Sequence, residues 1–67
     1  MQVQLRVKEI WWNGANGDEC LRPKEGQRME TLNEFHGDYD MDWVVLFEGD
    51  KEISRHNVQY IASIVWE

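Results

Sequence analysis

Three side chains in this 67-residue sequence offer thiol or imidazole chemistry: Cys20, His36 and His56. A Cys–His nucleophile also needs an orienting third group and an oxyanion site, and a structural zinc ion usually takes four ligands. The sequence shows no pattern typical of a catalytic set or of four zinc ligands, so it predicts no enzyme, no metal site and no cofactor. One cysteine cannot form an internal disulfide, so a dense core must stabilise so short a chain.

Asp38, Asp40 and Asp42 alternate along the chain, which is the spacing of one strand face or of a loop. Carboxylates at such spacing bind calcium when a glycine and a distal glutamate follow at fixed offsets, but Met41 and Trp43 break that pattern. We therefore interpret the series as a solvated acidic surface that contributes to recognition.

The acidic charge is concentrated in one part of the chain. Residues 30–52 contain eight acidic residues and one basic residue, Lys51, which gives this segment a net charge of −7 within a chain of net charge −6. Binding to a phosphate backbone requires clustered Lys and Arg, so no direct nucleic-acid binding is predicted. The expected partner is a protein with a basic surface or segment.

The aromatic residues are the second set of candidate contacts. Trp11 and Trp12 are adjacent, so on a strand their side chains point to opposite faces and one of them faces outward. Trp43, with either of these indoles and Tyr60, could form a platform of flat rings for a Pro ring or a cation. His56 is predicted to line the same groove or to cap a turn. The alternative is that these rings fill the core of a small domain.

Length and hydropathy limit the overall organisation. Sixty-seven residues allow one domain, residues 1–67, with one core. The apolar run at residues 43–47 is about a quarter of a membrane span, so no transmembrane helix is expected. Polar residues interrupt the N-terminus where a secretion leader would be apolar, so a cytoplasmic location is predicted.

The first predicted element is a strand. Residues 3–7 alternate between apolar and polar types, the period of a half-buried strand. After Glu9 the apolar positions change parity to Ile10 and Trp12, which predicts a β-bulge near Lys8 and Glu9. The turn dipeptides that follow predict a polar loop from Asn13 to Pro23.

The middle of the chain is predicted to be β as well. Residues 28–36 fit a short helix or a strand, and we favour the strand. Residues 42–53 indicate a hairpin around Gly49-Asp50.

Two hairpin registers are open. A two-residue turn would place Leu46 opposite Ile53 and Glu48 opposite Lys51, whereas a three-residue turn would pair Phe47 with Ile53.

The end of the chain is predicted to hold a single helical turn at residues 57–60, with Asn57 as a candidate cap, and then a last strand at residues 61–66. Five strands in a chain of this size predict a closed or nearly closed small β-barrel.

The order of these segments resembles the Src homology 3 family across most of residues 7–65. Glu19–Met29 is similar to the end of that family's RT loop and its diverging turn, and Asp42–Leu46 looks like its Trp-containing strand. Arg55–Ile61 looks like the segment that forms a helical turn before the final strand. The resemblance implies a five-stranded barrel, with Trp43 facing the ligand and with acidic specificity loops that select Arg or Lys. Arg55 or His56 stands where that family carries its groove proline.

Three functions are consistent with these patterns. The first is a non-enzymatic protein-interaction module that binds a basic or Pro-containing segment through an aromatic groove and an acidic loop. The second is an inhibitor of the phage or mobile-element type, whose carboxylates imitate nucleic-acid phosphates and block a basic cleft. The third is a homodimer that pairs through the apolar last strand, residues 64–66.

Overall fold

The computed structural model describes residues 6–67, which form one curled antiparallel sheet that resembles half of a barrel. The elements are β1 (Arg6–Gly14), β2 (Gly17–Leu21), β3 (Gln27–His36), β4 (Tyr39–Glu48), β5 (Lys51–Asn57), a 3-10 turn (Val58–Tyr60) and β6 (Ser63–Trp66). The predicted all-β class and the helical turn before the last strand are confirmed. No helix within residues 6–67 is long and apolar enough to cross a membrane. The start of the predicted first strand, at positions 3–5, lies outside the described residues.

The sheet is organised around β1, which is paired along both edges. Ile10 is aligned with Leu21 of β2 and also with Ile64 of β6, so β2 and β6 lie on opposite sides of β1. Val7 is aligned with Met29 of β3 and with Trp66 of β6. From β3 the sheet continues to β4 and then to β5. The first and last strands therefore lie side by side.

The β-bulge predicted in the first strand is confirmed. The pairing of β1 with β6 shifts between Val7 and Glu9, so Lys8 is the extra residue. Because of this insertion, Val7 and Ile10 are both buried although they are three positions apart. The side chains that form the core are Val7, Ile10, Met29, Val44 and Leu46, against which Trp12, Leu21, Val58, Ile61 and Ile64 pack.

Residues 27–36 form a strand, as predicted, and not a helix. β3 pairs with β4 over its whole length, from Gln27 opposite Glu48 to His36 opposite Tyr39. The connection is the two-residue turn Gly37-Asp38, in which Gly37 has a φ of 58°. A positive φ at the first central position is typical of the type II′ turn that suits a twisted hairpin. The turn end of the β3–β4 hairpin extends beyond the core, since Phe35 is 75% exposed.

The β4–β5 hairpin has a two-residue turn with Glu48 opposite Lys51, so the three-residue alternative is wrong. The expected pairing of Leu46 with Ile53 is also not observed, because a register shift places Ser54 opposite Leu46. Ile53 is the bulged residue of β5 and is exposed. Neither the turn dipeptide nor the alternation of residues signals such an insertion in advance.

The prediction of a polar loop from Asn13 to Pro23 is wrong in its middle part. Residues 17–21 form β2, which pairs with β1 from Gly14 opposite Gly17 to Ile10 opposite Leu21. The described residues thus contain six strands, one more than predicted. β2 is an edge strand of mostly polar residues, so it lacks the apolar alternation by which strands are recognised.

We expect Ile10→Ala to lower the free energy of unfolding by about 3 kcal/mol, because Ile10 is fully buried and truncation leaves a cavity. The matched control is Ile53→Ala, since Ile53 is 44% exposed, and its expected cost is about 0.5 kcal/mol. Urea denaturation followed by Trp fluorescence measures both. Equal losses in the two variants would contradict the core described here.

Candidate functional site

The aromatic cleft is a depression of about 310 Å³ between the start of the sheet and the 3-10 turn. Its lining consists of Trp12, Arg55, His56, Asn57, Tyr60 and Ile61. The rings of Trp12 and His56 are stacked, with their centroids 5.7 Å apart and their planes inclined by 27°. The indole nitrogen of Trp12 donates to Glu19 Oε2 at 2.8 Å. This hydrogen bond and the stack fix the ring of Trp12 at the border of the core.

The β-bulges explain why Trp12 and His56 meet. Trp12 lies two residues after the buried Ile10, so both side chains share one face of β1. His56 is aligned with the buried Val44, on the corresponding face of β5. Trp12 also packs against the core cluster, so its ring is both part of the domain's packing and a wall of the cleft.

The 3-10 turn forms the other side of the aromatic cleft. Asn57 caps it, as predicted, because the Asn57 side chain accepts a hydrogen bond from the backbone nitrogen of Gln59 at 2.8 Å. Tyr60, at the end of the turn, is 78% exposed. Ile61 follows and packs against the core. The cleft thus has a rigid apolar base and an exposed phenol ring at its rim.

The acidic cleft lies on the other side of the same turn and has a volume of about 420 Å³. It is lined by Tyr39, Asp40, Met41, Asp42, Asn57, Val58 and Gln59. Asn57 belongs to both clefts, so the two are neighbours. Asp42 accepts a hydrogen bond from the Asn33 side chain at 2.8 Å. Among residues 6–67, neither Asp40 nor Asp42 is in an ion pair.

Trp43 lies on the opposite face of β4 from Val44 and lines neither cleft. Its ring is covered by the guanidinium of Arg55, 5.3 Å from the ring centroid. Arg55 also donates to Glu52 at 2.7 Å and to Glu34. The predicted platform of Trp43 with Tyr60 is therefore replaced by the stack of Trp12 on His56.

Trp11 points away from Trp12, as the alternation of a strand requires. Its indole nitrogen donates to Glu9 Oε2 at 2.6 Å, and Cys20 and Arg22 donate to the same oxygen. Partial burial acts to raise the pKa of Glu9, but these hydrogen bonds and the charge of Arg22 outweigh it and lower that pKa. Burial, together with the hydrogen bond to Glu9, raises the pKa of the Cys20 thiol. A raised pKa disfavours the reactive thiolate.

The acidic segment at residues 30–52 does not form a single patch. On the face that bears Trp43, Glu30 is paired with Arg28 at 3.2 Å, while Glu34 and Glu52 are paired with Arg55. The predicted acidic site residues lie at the end of the β3–β4 hairpin, with Asp38 in the turn and Asp40 and Asp42 in the acidic cleft. Among residues 6–67, no group of three His, Cys, Asp or Glu side chains is arranged to hold a metal ion.

The structure thus brings five of the predicted site residues around the 3-10 turn. Trp12, His56 and Tyr60 line the aromatic cleft, and Asp40 and Asp42 line the acidic one. Trp11, Trp43 and Asp38 lie elsewhere. The lining of the two clefts also contains residues that were not among the predicted site residues, including Tyr39, Met41, Arg55 and Ile61. The presence of Ile61 follows from the predicted turn, whereas Tyr39 and Met41 depend on the length of the β3–β4 hairpin.

Comparison with protein-family models, with curated proteins and with solved structures finds no match to this chain.

Arg55→Gln should raise the pKa of Glu52 and, by less, that of Glu34. Hydrogen bonding to Arg55 is the main cause that lowers the pKa of Glu52, whereas Glu34 keeps the hydrogen bond from His36. Carboxyl chemical shifts followed by NMR through an acid titration measure both groups. Lys24→Gln removes one positive charge elsewhere and is the control. An unchanged titration of Glu52 in the Arg55 variant would contradict the pairing.

His56 should make the fold less stable as the pH falls from 7 to 5. Burial lowers the pKa of His56 from its ordinary value of 6.5, so the unfolded chain binds this proton more readily than the folded chain. The contribution of His56 to stability is complete above pH 6.5 and is lost as the pH falls through the lowered pKa. Urea denaturation across this range should give a flatter pH dependence for His56→Gln.

The slope is compared between the wild type and His56→Gln, and not the absolute stability, because the substitution can shift the whole curve. Equal slopes in the wild type and in His56→Gln would refute the assignment.

Proposed function

We propose that this chain is a non-enzymatic protein-interaction module that binds an extended, basic segment of a partner. An apolar or Pro side chain of that segment occupies the aromatic cleft, and a Lys or Arg near it lies against the acidic cleft. The observation that carries the proposal is that the two clefts share Asn57 and flank one helical turn. A single short segment can therefore contact both.

The aromatic cleft suits an apolar side chain. The rings of Trp12 and His56 are held in place before any ligand binds, since they stack on each other and Trp12 donates a hydrogen bond to Glu19. Fixed rings lose little conformational entropy on binding, and Tyr and Trp are frequent anchors in interfaces. A volume of about 310 Å³ is at the lower end for ligand sites, which fits one or two side chains.

The acidic cleft suits a cationic side chain. Asp40 and Asp42 are exposed, and within residues 6–67 no Lys or Arg neutralises them. Exposed charge pairs contribute modestly to affinity, so these aspartates would mainly select the partner and speed its association. Binding should therefore weaken as salt concentration rises.

The resemblance to the Src homology 3 family supports the same proposal. The first and last strands are paired, and a 3-10 turn precedes the last strand, which is the arrangement that the resemblance implies. The departures argue for a changed specificity, since Arg55 or His56 stands where that family has its groove proline. We extend the proposal to a cytoplasmic location, which the free thiol of Cys20 supports.

A titration with a panel of basic and Pro-containing peptides tests the proposal, with Trp fluorescence as the readout because Trp12 lies within the aromatic cleft. We expect saturable binding that Tyr60→Ala weakens about tenfold, as is typical of an aromatic anchor. Since Tyr60 is mostly exposed, this substitution should leave the fold intact.

The double variant Asp40→Asn/Asp42→Asn should lower the affinity for basic peptides about tenfold, because it removes two exposed charge contacts. Its matched control is Asp18→Asn/Asp50→Asn, which changes the net charge equally but lies outside both clefts. Equal effects of the two double variants would show that only net charge matters. If no peptide binds, and a captured partner instead releases DNA or RNA when this protein is added, the interaction module is excluded in favour of nucleic-acid mimicry.

A further inference from the structure

A third cleft, the basic cleft, lies where the start of β3 meets β1, at the opposite end of β3 from the β3–β4 turn. It has a volume of about 320 Å³, and its lining includes Arg6, Lys8, Arg22 and Arg28. These are four of the seven Lys and Arg residues of the chain. Glu67 is the one acidic residue of the lining, so the lining residues have a net charge of +3 in a protein of net charge −6. Glu9 and Glu30, which pair with Arg22 and Arg28, lie outside the lining.

Arg6 and Lys8 differ from the other two cations of the basic cleft. Within residues 6–67, neither Arg6 nor Lys8 is in an ion pair. Both are exposed and both belong to β1, where Lys8 is the residue inserted by the β-bulge. Arg6 and Lys8 are two positions apart on β1, and both line the basic cleft.

Arg28 is held in place by two hydrogen bonds, and its guanidinium has further N–H donors without a partner in these bonds. Its Nε donates to Glu30 at 3.2 Å, one Nη donates to the carbonyl of Gly49 at 2.6 Å, and its guanidinium lies 4.8 Å from the ring centroid of Phe47. A guanidinium has five N–H groups, so three remain after these two bonds. A positioned guanidinium with free donors is the group that binds oxyanions in a bidentate manner.

Arg22 is the adaptable member of the set. Its side chain is 66% exposed, and its contact with Glu9 is long, at 3.4 Å. The Arg22 end of this long ion pair is exposed, and Glu9 keeps its hydrogen bonds from Trp11 and Cys20 if the guanidinium turns toward an anion. The cleft therefore combines one guanidinium held by two hydrogen bonds, one exposed guanidinium and two cations that form no ion pair within residues 6–67.

We propose that the basic cleft binds a single phosphoryl group, carried by a small molecule or by a phosphorylated side chain. A dianion with three acceptor oxygens matches a lining of net charge +3 and several free N–H donors better than a singly charged carboxylate does. A nucleic-acid backbone fits poorly, because the residues outside the cleft have a net charge of −9 and would repel a polyanion. The volume of the cleft also corresponds to one small group and not to a long groove.

The test is an NMR titration of the ¹⁵N-labelled full chain with inorganic phosphate, phosphoserine, a phosphoserine peptide and a short DNA duplex, each at constant ionic strength. We expect saturable amide shifts at residues 6–8, 22 and 27–28. Lys8→Gln should weaken phosphate binding about fivefold, and Arg6→Gln/Lys8→Gln should weaken it further. Lys51→Gln, which removes the same charge from an exposed strand position outside the cleft, is the matched control and should have no effect.

The probes distinguish the source of the phosphoryl group. Tighter binding of the phosphoserine peptide than of phosphoserine indicates a partner protein, and equal binding indicates a small molecule. The proposal is overturned if Lys8→Gln leaves the phosphate-induced shifts unchanged. It is also overturned if none of the phosphorylated probes saturates the shifts. Tighter binding of the DNA duplex than of every other probe would overturn it as well.

Discussion

The position of two inserted residues, Lys8 in β1 and Ile53 in β5, determines which side chains of this small sheet face the core. Side chains alternate between faces of a strand, so each insertion exchanges the faces of all residues that follow it. The first insertion places Ile10 and Trp12 on the same face as Val7, and the second places His56 opposite Val44. Without either one, Trp12 and His56 would lie on different faces and could not stack. The aromatic cleft is therefore a consequence of the pairing registers.

The same two registers determine the chemistry of the outer face. Val45 is completely buried although its neighbour Val44 faces the core, so β4 is covered on both sides. Arg55 is aligned with Val45 because of the insertion of Ile53. The guanidinium of Arg55 lies over the ring of Trp43. Long Arg side chains can cover apolar surface with their methylene groups while the charged end remains hydrated. The Glu residues of this face hold Arg55 in position, which explains why much of the acidic segment is neutralised within the fold.

The sequence predicted most elements, because apolar alternation and turn dipeptides are local signals. The change of parity after Glu9 also predicted the first insertion, since both flanking patterns were clear. The second insertion was not predictable, because β5 has few apolar residues whose alternation could reveal a change of face. β2 was missed for a related reason. This strand is mostly polar, and it is stabilised by backbone pairing with β1 and by the contact of Glu19 with Trp12, neither of which depends on a hydrophobic pattern. The placement of Trp43 followed from the resemblance to a known family, and it did not take account of the guanidinium of Arg55 above the ring.

The net charge of −6 is not evenly distributed between the acidic cleft and the basic cleft. Arg28 lies in the basic cleft, and His36 lies beside the turn that contains Asp38. The two residues are eight positions apart on β3, which corresponds to about 26 Å along an extended strand. Exposed charges in physiological salt are largely screened beyond about 8 Å, so the two ends act on ligands almost independently. A cationic segment at the acidic cleft and an anionic group at the basic cleft are therefore compatible on one small domain. The ion pairs of Arg55 and Arg28 with the Glu residues of the outer face contribute to this separation, because they remove charge from the surface between the two ends.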